Sequence, residues 1–313
     1  MITGKKILIT GATGEVAREI ALSLVGENEV WCLARFSEPG PKARMESVGI
    51  KTFRWTLGDD DFTGLPDDFD HVIHSACNIF PVANDYDAAI RTNAEGTGLL
   101  LAHCHRAKSL LYVSSLQVYV TPDDLSVSRK EDYPLGSHAL YAPSYGIGKV
   151  ATEAVVRTLA RIYNMPTTIG RLGMNYGIGV GGAPDGAFRA MLSGKPMPVP
   201  PRGVSYCSLI NNEDVVAQVE PLLNAASVPA MIVNWCGDEA VDERDMYDYL
   251  AEIGGLKPDF QESPGAGYHG GVGDPAKRIS ITGPGKYTWK DGILRAFKAN
   301  FPDHRFVTPE SGQ

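Results

Sequence analysis

The stretch ILITGATGEVAREIALSL, residues 7–24, constrains the fold of this chain more than any other. An apolar run typical of a buried strand ends at Thr10, passes through a glycine-containing turn, and leads into a helical apolar pattern. Gly11 and Gly14 let the backbone turn tightly and approach a pyrophosphate at a helix N-terminus, and Ala17 is small enough for close helix packing. An isolated GxxG also occurs where a strand simply ends and no ligand is bound. The prediction of a dinucleotide site therefore depends on the strand and helix patterns in the rest of the chain.

Strand and helix patterns alternate through the first half of the chain. The strand-like runs are Ile7 to Thr10, Glu29 to Leu33, Thr52 to Trp55, His71 to His74, Leu110 to Ser114 and Thr167 to Arg171. This order predicts an α/β fold with a Rossmann-type, doubly wound parallel sheet. After Tyr176, a segment rich in Gly, Pro and Met predicts a smaller C-terminal substrate lobe. We expect residues 1–173 to form the dinucleotide-binding domain, with part of 204–236 returning to it, and 174–313 to form mainly the discontinuous substrate lobe.

Composition excludes several classes of partner. A formal net charge of −8 at pH 7, without clustered Lys and Arg, argues against a nucleic-acid-binding face. The five cysteines are odd in number and never form CxxC, so we expect neither a disulfide framework nor a metal site. No stretch approaches the roughly 18 apolar residues of a membrane helix, and no signal-peptide pattern opens the sequence. We therefore expect no membrane partner, a cytoplasmic location and a small-molecule ligand.

The end of the second strand predicts which dinucleotide binds. Ala34 occupies the position where an acidic residue would bond the adenosine 2′-hydroxyl, and Arg35 comes next. A missing carboxylate beside a guanidinium favours a 2′-phosphate, so NADP is the expected cofactor and NAD the alternative. The competing interpretation of Arg35 is a solvated loop arginine.

A helical pattern around YAPSYGIGKVATEAV places Tyr145 and Lys149 four residues apart on one helix face. An ammonium beside a phenol stabilises the phenolate and lowers the tyrosine pKa from about 10 towards neutrality, which allows proton exchange at working pH. Ser114 and Ser115 end the fifth strand, at the sheet edge where ligands of open α/β proteins lie. One of these hydroxyls can hold a substrate carbonyl. Tyr/Lys pairs are also common on helix surfaces and paired serines in turns, so the hypothesis depends on the combination.

The ordered motifs of the chain resemble the extended short-chain dehydrogenases/reductases, which include NAD(P)-dependent sugar epimerases, dehydratases and ketone reductases. The likeness runs through TGATGEVA, GDDDF, HVIHSAC, RTNAEGT, YVSSLQVY, YGIGK, IGRLGMNYG and DPAKRISITG. The resemblance makes Tyr145 the acid/base, Lys149 the group that lowers its pKa and binds the nicotinamide ribose, and Ser115 the carbonyl-positioning hydroxyl. It also implies a homodimer through the helices of residues 86–106 and 145–164.

The resemblance further implies a set of dinucleotide contacts besides Tyr145 and Lys149. These are Gly11, Thr13, Gly14, Glu15, Val16, Arg35, Asp59, Asp60, Ser75, Ala76, Cys77, Asn93 and Gly173. Asp59 and Asp60 are expected at the adenine, although a solvated acidic turn is the competing interpretation. Asn93 either lies beside the cofactor or only braces backbone.

The chain departs from nucleotide-sugar members of the family at positions that bind substrate phosphate. Met174 stands where an asparagine is usual, Cys207 stands where an arginine is expected, and no arginine precedes DPAKR. Burying a diphosphate without cations costs several kcal/mol. We therefore expect a largely uncharged ketone, aldehyde or alcohol as substrate, unless Asn175, Arg189 or Arg202 substitutes.

The main functional hypothesis is an NADP(H)-dependent oxidoreductase that interconverts a ketone or aldehyde and an alcohol on a small substrate. The residues expected to line its substrate pocket are Ile79, Phe80, Ser115, Met174, Tyr176 and Cys207. The alternatives are an NAD-dependent nucleotide-sugar epimerase and a non-catalytic NADP-sensing regulator. Ser115, Tyr145 and Lys149 argue against the regulator, because a regulator needs no acid/base. The family's dehydratases carry Thr-Asp-Glu where this chain has Ser-Leu-Gln, which argues against sugar dehydration.

Overall fold

Strands and helices alternate along residues 2–136, 139 and 141–307, the part of the chain that the computed structural model describes. The strands are β1 (Lys6–Thr10), β2 (Glu29–Ala34), β3 (Lys51–Arg54), β4 (His71–His74), β5 (Ser109–Ser115), β6 (Ser128–Arg129), β7 (Thr167–Leu172), β8 (Met174–Tyr176), β9 (Met197–Val199), β10 (Tyr206–Cys207), β11 (Leu209–Asn211), β12 (Met231–Trp235), β13 (Val241–Asp242), β14 (Phe260–Glu262) and β15 (Val272–Gly273). The α-helices are α1 (Glu15–Leu24), α2 (Pro39–Ser47), α3 (Tyr86–Ala89), α4 (Gly96–His103), α5 (Pro143–Ile162), α6 (Gly182–Leu192), α7 (Asn212–Asn224), α8 (Glu243–Gly254), α9 (Ala276–Thr282) and α10 (Trp289–Asn300). Short helical turns also occur at Phe80–Val82, Ile90–Glu95 and Leu116–Val118.

A seven-stranded sheet, in the order β12-β7-β5-β4-β1-β2-β3, forms the centre of the described chain. Every pairing between its strands is parallel. The chain runs outward from β1 to β3 and then returns to β4 on the other side of β1, so the predicted doubly wound, Rossmann-type fold is confirmed. Because the strand order reverses between β1 and β4, a crevice forms at their carboxyl ends, where ligands bind in open α/β sheets.

Helices cover both faces of the sheet, which is why its central strands are largely buried. All seven residues of β5 are buried. Ile7 and Ile9 of β1 join a cluster with α1 and α7, whereas Leu8 joins a second cluster with α4 and α5. This alternation results from the two-residue period of a strand and fixes which helices lie on each side.

A smaller lobe next to the carboxyl ends of the strands has its own apolar core. Phe188 of α6, Leu250 of α8 and Phe297 of α10 belong to this core. Between these helices the chain returns to the sheet, because α7 packs against α1 and β12 pairs with β7. Asn211 starts α7, since its side chain accepts a hydrogen bond from the Glu213 backbone N–H at 2.9 Å.

No helix within the described ranges combines the length and the apolar character needed to cross a membrane.

Candidate active site

A cavity of about 410 Å³, the outer cavity, lies at the carboxyl ends of β1, β2 and β4. The predicted dinucleotide-binding residues on its wall are Gly11, Thr13, Gly14, Glu15, Val16, Arg35, Ser75, Ala76 and Cys77. Trp55, Thr56 and Leu57, which were not predicted, also line it. The outer cavity therefore extends from the first glycine turn to the adenosine-side residues at the end of β2.

Gly11 shapes the outer cavity beside β1. Its φ is +74°, a left-handed conformation, and a Cβ there would lie 2.9 Å from the backbone nitrogen of Ala76. Only glycine satisfies both constraints. Helix α1 begins after Gly14 without a side-chain cap, so its first-turn N–H groups are left for a ligand, as at phosphate-binding helix N-termini. These features fit a dinucleotide whose pyrophosphate lies at the start of α1.

A second cavity of about 250 Å³, the inner cavity, adjoins the outer one. The residues shared by the two walls are Val16, Ser75, Cys77 and Ile79. The other predicted site residues on the inner wall are Ser115, Tyr145, Lys149, Gly173, Met174 and Cys207. A dinucleotide in the outer cavity can therefore reach the three predicted catalytic side chains with its far end.

Ser115, Tyr145 and Lys149 lie together on the inner wall because β5 ends where α5 begins to pack against it. The Ser115 hydroxyl accepts a hydrogen bond from the Gln117 backbone N–H at 3.2 Å and is hydrogen-bonded to the Tyr145 hydroxyl. Lys149 Nζ donates to the Val113 carbonyl at 2.7 Å and lies 6.0 Å from the centre of the Tyr145 ring. The arrangement offers a hydroxyl pair to a substrate oxygen, with an ammonium nearby.

The structure does not show the predicted lowering of the Tyr145 pKa by Lys149. Burial raises the pKa of Tyr145 well above its ordinary value, and only the hydrogen bond with Ser115 acts in the opposite direction. The physical reason is that the Lys149 ammonium is directed to the Val113 carbonyl while the phenol is desolvated.

A buried chain of hydrogen bonds behind the cavities was not predicted. Thr10 Oγ1 accepts from the backbone N–H groups of the two residues after His74, at 3.2 and 3.1 Å, so its proton points to His74 Nδ1, 2.6 Å away. His74 Nε2 then donates to Thr97 Oγ1 at 2.8 Å, and Thr97 donates to the Asn93 carbonyl at 2.6 Å. Each donor thus has one acceptor, and this arrangement requires a neutral His74. The bonds to Thr10 also hold the start of residues 75–79, the segment that lines both cavities.

This chain of hydrogen bonds predicts a loss of stability in acid. Burial lowers the pKa of His74 to about 3, and the charge of Lys149 acts in the same direction. Because the unfolded chain protonates this imidazole near its ordinary value, the stabilisation is present above about pH 6.5 and is lost as the pH falls towards 3. We expect the free energy of unfolding to fall by up to about 1.4 kcal/mol per pH unit within this window, measured by urea denaturation. A His74→Gln variant should show a flatter dependence; an equal slope in the variant would contradict the assignment.

Five predicted contacts lie outside the two cavities: Asn93, Phe80, Tyr176, Asp60 and Asp59. Asn93 braces backbone, because its Oδ1 accepts from the Asn78 N–H at 2.7 Å and its Nδ2 donates to the Asn78 carbonyl at 3.0 Å. Phe80 is 73% exposed, and Tyr176 is buried in the core of the smaller lobe. Asp60 is exposed in the turn after β3.

Asp59 also lies outside the cavities and shapes a wall indirectly. Its carboxylate accepts from the Thr56 backbone N–H at 3.0 Å, and its carbonyl accepts from Trp55 Nε1 at 3.1 Å. These bonds hold the turn that lines the outer cavity.

Two aromatic residues complete the inner wall and were not predicted. The rings of Tyr141 and Tyr268 stack with centroids 5.0 Å apart, and their hydroxyls are hydrogen-bonded. The ring of Tyr141 lies 5.9 Å from that of Tyr145. Tyr268 comes after two glycines in a segment without periodic pattern, and this glycine-rich turn was the one available sequence signal.

The inner wall carries little charge. Among its described residues Lys149 is the one Lys or Arg, and there is no Asp or Glu. Arg189 donates to the Asp185 carboxylate at 2.6 Å, and Arg202 donates to the Asp248 carboxylate at 2.7 Å, so neither compensates for the missing arginines by lining the cavity.

Comparison with known sequences identifies the family. Residues 7–233 match the model described as the NAD dependent epimerase/dehydratase family. In Arabidopsis thaliana, the trifunctional UDP-glucose 4,6-dehydratase/UDP-4-keto-6-deoxy-D-glucose 3,5-epimerase/UDP-4-keto-L-rhamnose-reductase RHM2 is 26% identical over 244 residues, which are 72% of this chain and 36% of that protein. The chain thus spans about a third of the length of this relative, and RHM3 is similar at 25% identity.

Solved structures share the fold over nearly the whole chain. The UDP-glucuronic acid 4-epimerase from Bacillus cereus, in complex with UDP-glucuronic acid and NAD, superposes with a TM-score of 0.80 at 19% identity and covers 96% of this chain and 100% of its own. The Bordetella bronchiseptica enzyme WbmG, in complex with NAD and UDP, superposes with a TM-score of 0.80 at 20% identity. The match covers 99% of this chain and 98% of WbmG. The family match extends over more than half of the chain and confirms the predicted resemblance, so this chain belongs to the NAD dependent epimerase/dehydratase family.

Proposed function

We propose that this chain oxidises a secondary alcohol of a nucleotide sugar and then re-reduces the ketone, as an epimerase does. The observation that carries the proposal is the continuity of the two cavities, which share four wall residues and bring a dinucleotide to Ser115, Tyr145 and Lys149. The family match and the UDP-sugar relatives support this alternative over the small uncharged substrate of the main sequence hypothesis.

Each catalytic side chain has a role that its position supports. A bound nicotinamide supplies the hydride acceptor and donor. The Tyr145 oxygen, as phenolate, takes the proton of the substrate alcohol during oxidation, and as phenol it returns the proton during reduction. The Ser115 hydroxyl, hydrogen-bonded to Tyr145, holds the same substrate oxygen. Lys149 holds the ribose next to the nicotinamide and places a positive charge near the developing phenolate.

The inner wall favours epimerisation over dehydration. Elimination of water needs a general acid and a base beside the carbons that lose hydroxide and a proton. The described wall residues include no Asp or Glu, and Leu116 and Gln117 come after Ser115 where the family's dehydratases carry acidic residues. We therefore propose that oxidation and re-reduction occur without loss of water.

A direct assay tests the proposal. We expect UDP-glucose or UDP-glucuronic acid, incubated with the protein and NAD, to develop the proton NMR signals of the 4-epimer without net NADH formation. The Tyr145→Phe variant serves as the inactive control. If no nucleotide sugar is converted while neutral carbonyl compounds oxidise NADPH, the nucleotide-sugar proposal is wrong and the protein is a reductase of uncharged carbonyl compounds.

The second candidate function is this NADP(H)-dependent reduction of a small uncharged carbonyl compound. The observation in its favour is the neutral inner wall, where Met174 and Cys207 replace phosphate-binding side chains and Lys149 is the one described cation. An apolar wall with a few hydroxyls suits an uncharged ketone or aldehyde.

Arg35 bears on the choice of cofactor. The wall residues at the end of β2 are Leu33, Ala34 and Arg35, so no carboxylate meets the adenosine ribose there. This supports NADP, whereas the Bacillus cereus and Bordetella bronchiseptica structures hold NAD. We expect Arg35→Ala to weaken NADPH binding by about 10- to 150-fold and NADH binding by less than about twofold, because a guanidinium–phosphate bond contributes roughly 1.5–3 kcal/mol. Fluorescence titration measures both constants, and an equal loss for both dinucleotides would refute the role.

We also propose a homodimer through the helices of residues 86–106 and 145–164. Exposed apolar side chains on this face support it: Tyr86, Ile90, Leu99 and Ile162. Such side chains are typical of a covered surface.

A further inference from the structure

Among the described buried arginines, Arg129 has no carboxylate partner. The described arginines that are almost fully buried are Arg129, Arg171 and Arg278. Arg171 pairs with Glu153 and Arg278 with Asp238. Arg129 is 3% exposed, and no described carboxylate lies within ion-pair distance of it.

The guanidinium of Arg129 lies directly behind the wall of the inner cavity. Its Nε donates to the Val272 carbonyl at 3.1 Å, and its Nη2 donates to the Gly270 carbonyl at 2.7 Å. A Cβ at Gly271 would overlap the guanidinium, and the φ of +66° there also requires glycine. Since Gly270 and Gly271 line the inner cavity, a backbone without side chains is what separates the charge from the ligand space.

The carbonyl oxygens satisfy hydrogen bonds of Arg129 but do not neutralise its charge. The ring of Tyr119, 5.3 Å away, adds a weak attraction of the cation–π type. Removing a guanidinium from water is costly when no counter-ion is present, and its field is poorly screened in a low-dielectric interior. Burial accordingly lowers the pKa of Arg129. An anion at the Gly270–Gly271 turn would relieve this imbalance.

We propose that Arg129 is the anion-recognising residue of the inner cavity and attracts the diphosphate of the substrate to the Gly270–Gly271 turn. The proposal rests on the proposed function for the identity of the anion. It also explains how a wall lacking arginine at position 207 and before DPAKR can accept a charged substrate, because the charge comes from β6 behind the wall.

The test measures binding of UDP and of uridine to the NADH-loaded protein by titration calorimetry. We expect the wild type to bind UDP more tightly than uridine. The Arg129→Gln variant should weaken the binding of UDP by about tenfold or more and change the binding of uridine by less than about twofold. Arg129→Lys keeps the charge and should recover part of the UDP affinity. Raising the salt concentration should weaken UDP binding less in Arg129→Gln than in the wild type.

A matched control separates recognition from folding. Arg278→Gln removes another buried arginine, one that pairs with Asp238 and does not line the inner cavity, so it should cost stability without changing the ratio of UDP to uridine affinity. Equal loss of UDP and uridine in Arg129→Gln, or a loss of NADH affinity instead, would overturn the proposal. If UDP binding depends on Arg129 but no UDP-sugar is epimerised, the proposed reaction fails while the anion site stands.

Discussion

The Tyr145→Phe variant should lose about 10²- to 10⁴-fold in turnover, the range that a positioned general acid–base contributes. The hydroxyl that this change removes lies on the inner wall and is hydrogen-bonded to Ser115, so the substrate oxygen loses both its proton acceptor and an ordered neighbour. The ring itself stays, which should leave cofactor binding nearly unchanged. Steady-state rates measured with the substrate found by the epimerase assay, together with the NADH dissociation constant, distinguish these effects.

Tyr112→Phe is the matched control for this experiment. Tyr112 is a buried tyrosine of β5 that belongs to the apolar core and does not line either cavity. Loss of the Tyr112 hydroxyl should lower the free energy of unfolding and change turnover by less than about tenfold. If Tyr145→Phe keeps more than about a tenth of the wild-type turnover, Tyr145 is not the proton-transfer group.

Local patterns in the sequence predict the architecture well. The run ending at Thr10, the glycine turn and the helix after it all occur as expected, because each depends on residues within one or two turns of chain. The placement of Tyr145 and Lys149 on one helix face also results from helical spacing alone. Contacts of this kind need no knowledge of the distant chain.

Long-range contacts set the limits of such predictions. Arg129 reaches Gly270 across 141 residues, and Thr10 reaches His74 across 64, so no local pattern connects them. Asp59 fails as a wall residue for a related reason. The sequence shows the acidic run of residues 59–61, but whether its side chains face a ligand or cap their own turn depends on the loop geometry.

Side-chain direction explains why the structure does not show the predicted lowering of the Tyr145 pKa. Spacing places two residues on one helix face, yet a lysine has four rotatable bonds and its ammonium binds the best available acceptor. Here that acceptor is the Val113 carbonyl, which belongs to β5. Burial then dominates the phenol, and sequence spacing contains no information about burial of this kind.

The ion pair between Glu153 and Arg171 should be the most costly single interaction to break in the structure described. Both side chains are about 1% exposed, and two hydrogen bonds join them, Nε to Oε1 at 3.0 Å and Nη2 to Oε2 at 2.8 Å. Ser114 Oγ donates to the same carboxylate at 2.6 Å. We expect Glu153→Gln to lower the free energy of unfolding by about 3–5 kcal/mol, because it leaves a buried guanidinium without its counter-ion.

Breaking this ion pair should also displace the catalytic residues. Glu153 lies on α5, the helix that carries Tyr145, and its partners Ser114 and Arg171 lie near the ends of β5 and β7. Denaturant unfolding gives the stability, and the rate assay shows whether the helix has shifted. The double variant Glu153→Leu/Arg171→Met is the decisive control. It removes both charges and should recover much of the stability, since apolar replacements of a buried pair are often neutral. A double variant as unstable as Glu153→Gln would mean that packing around the pair, rather than an unpaired charge, accounts for the loss.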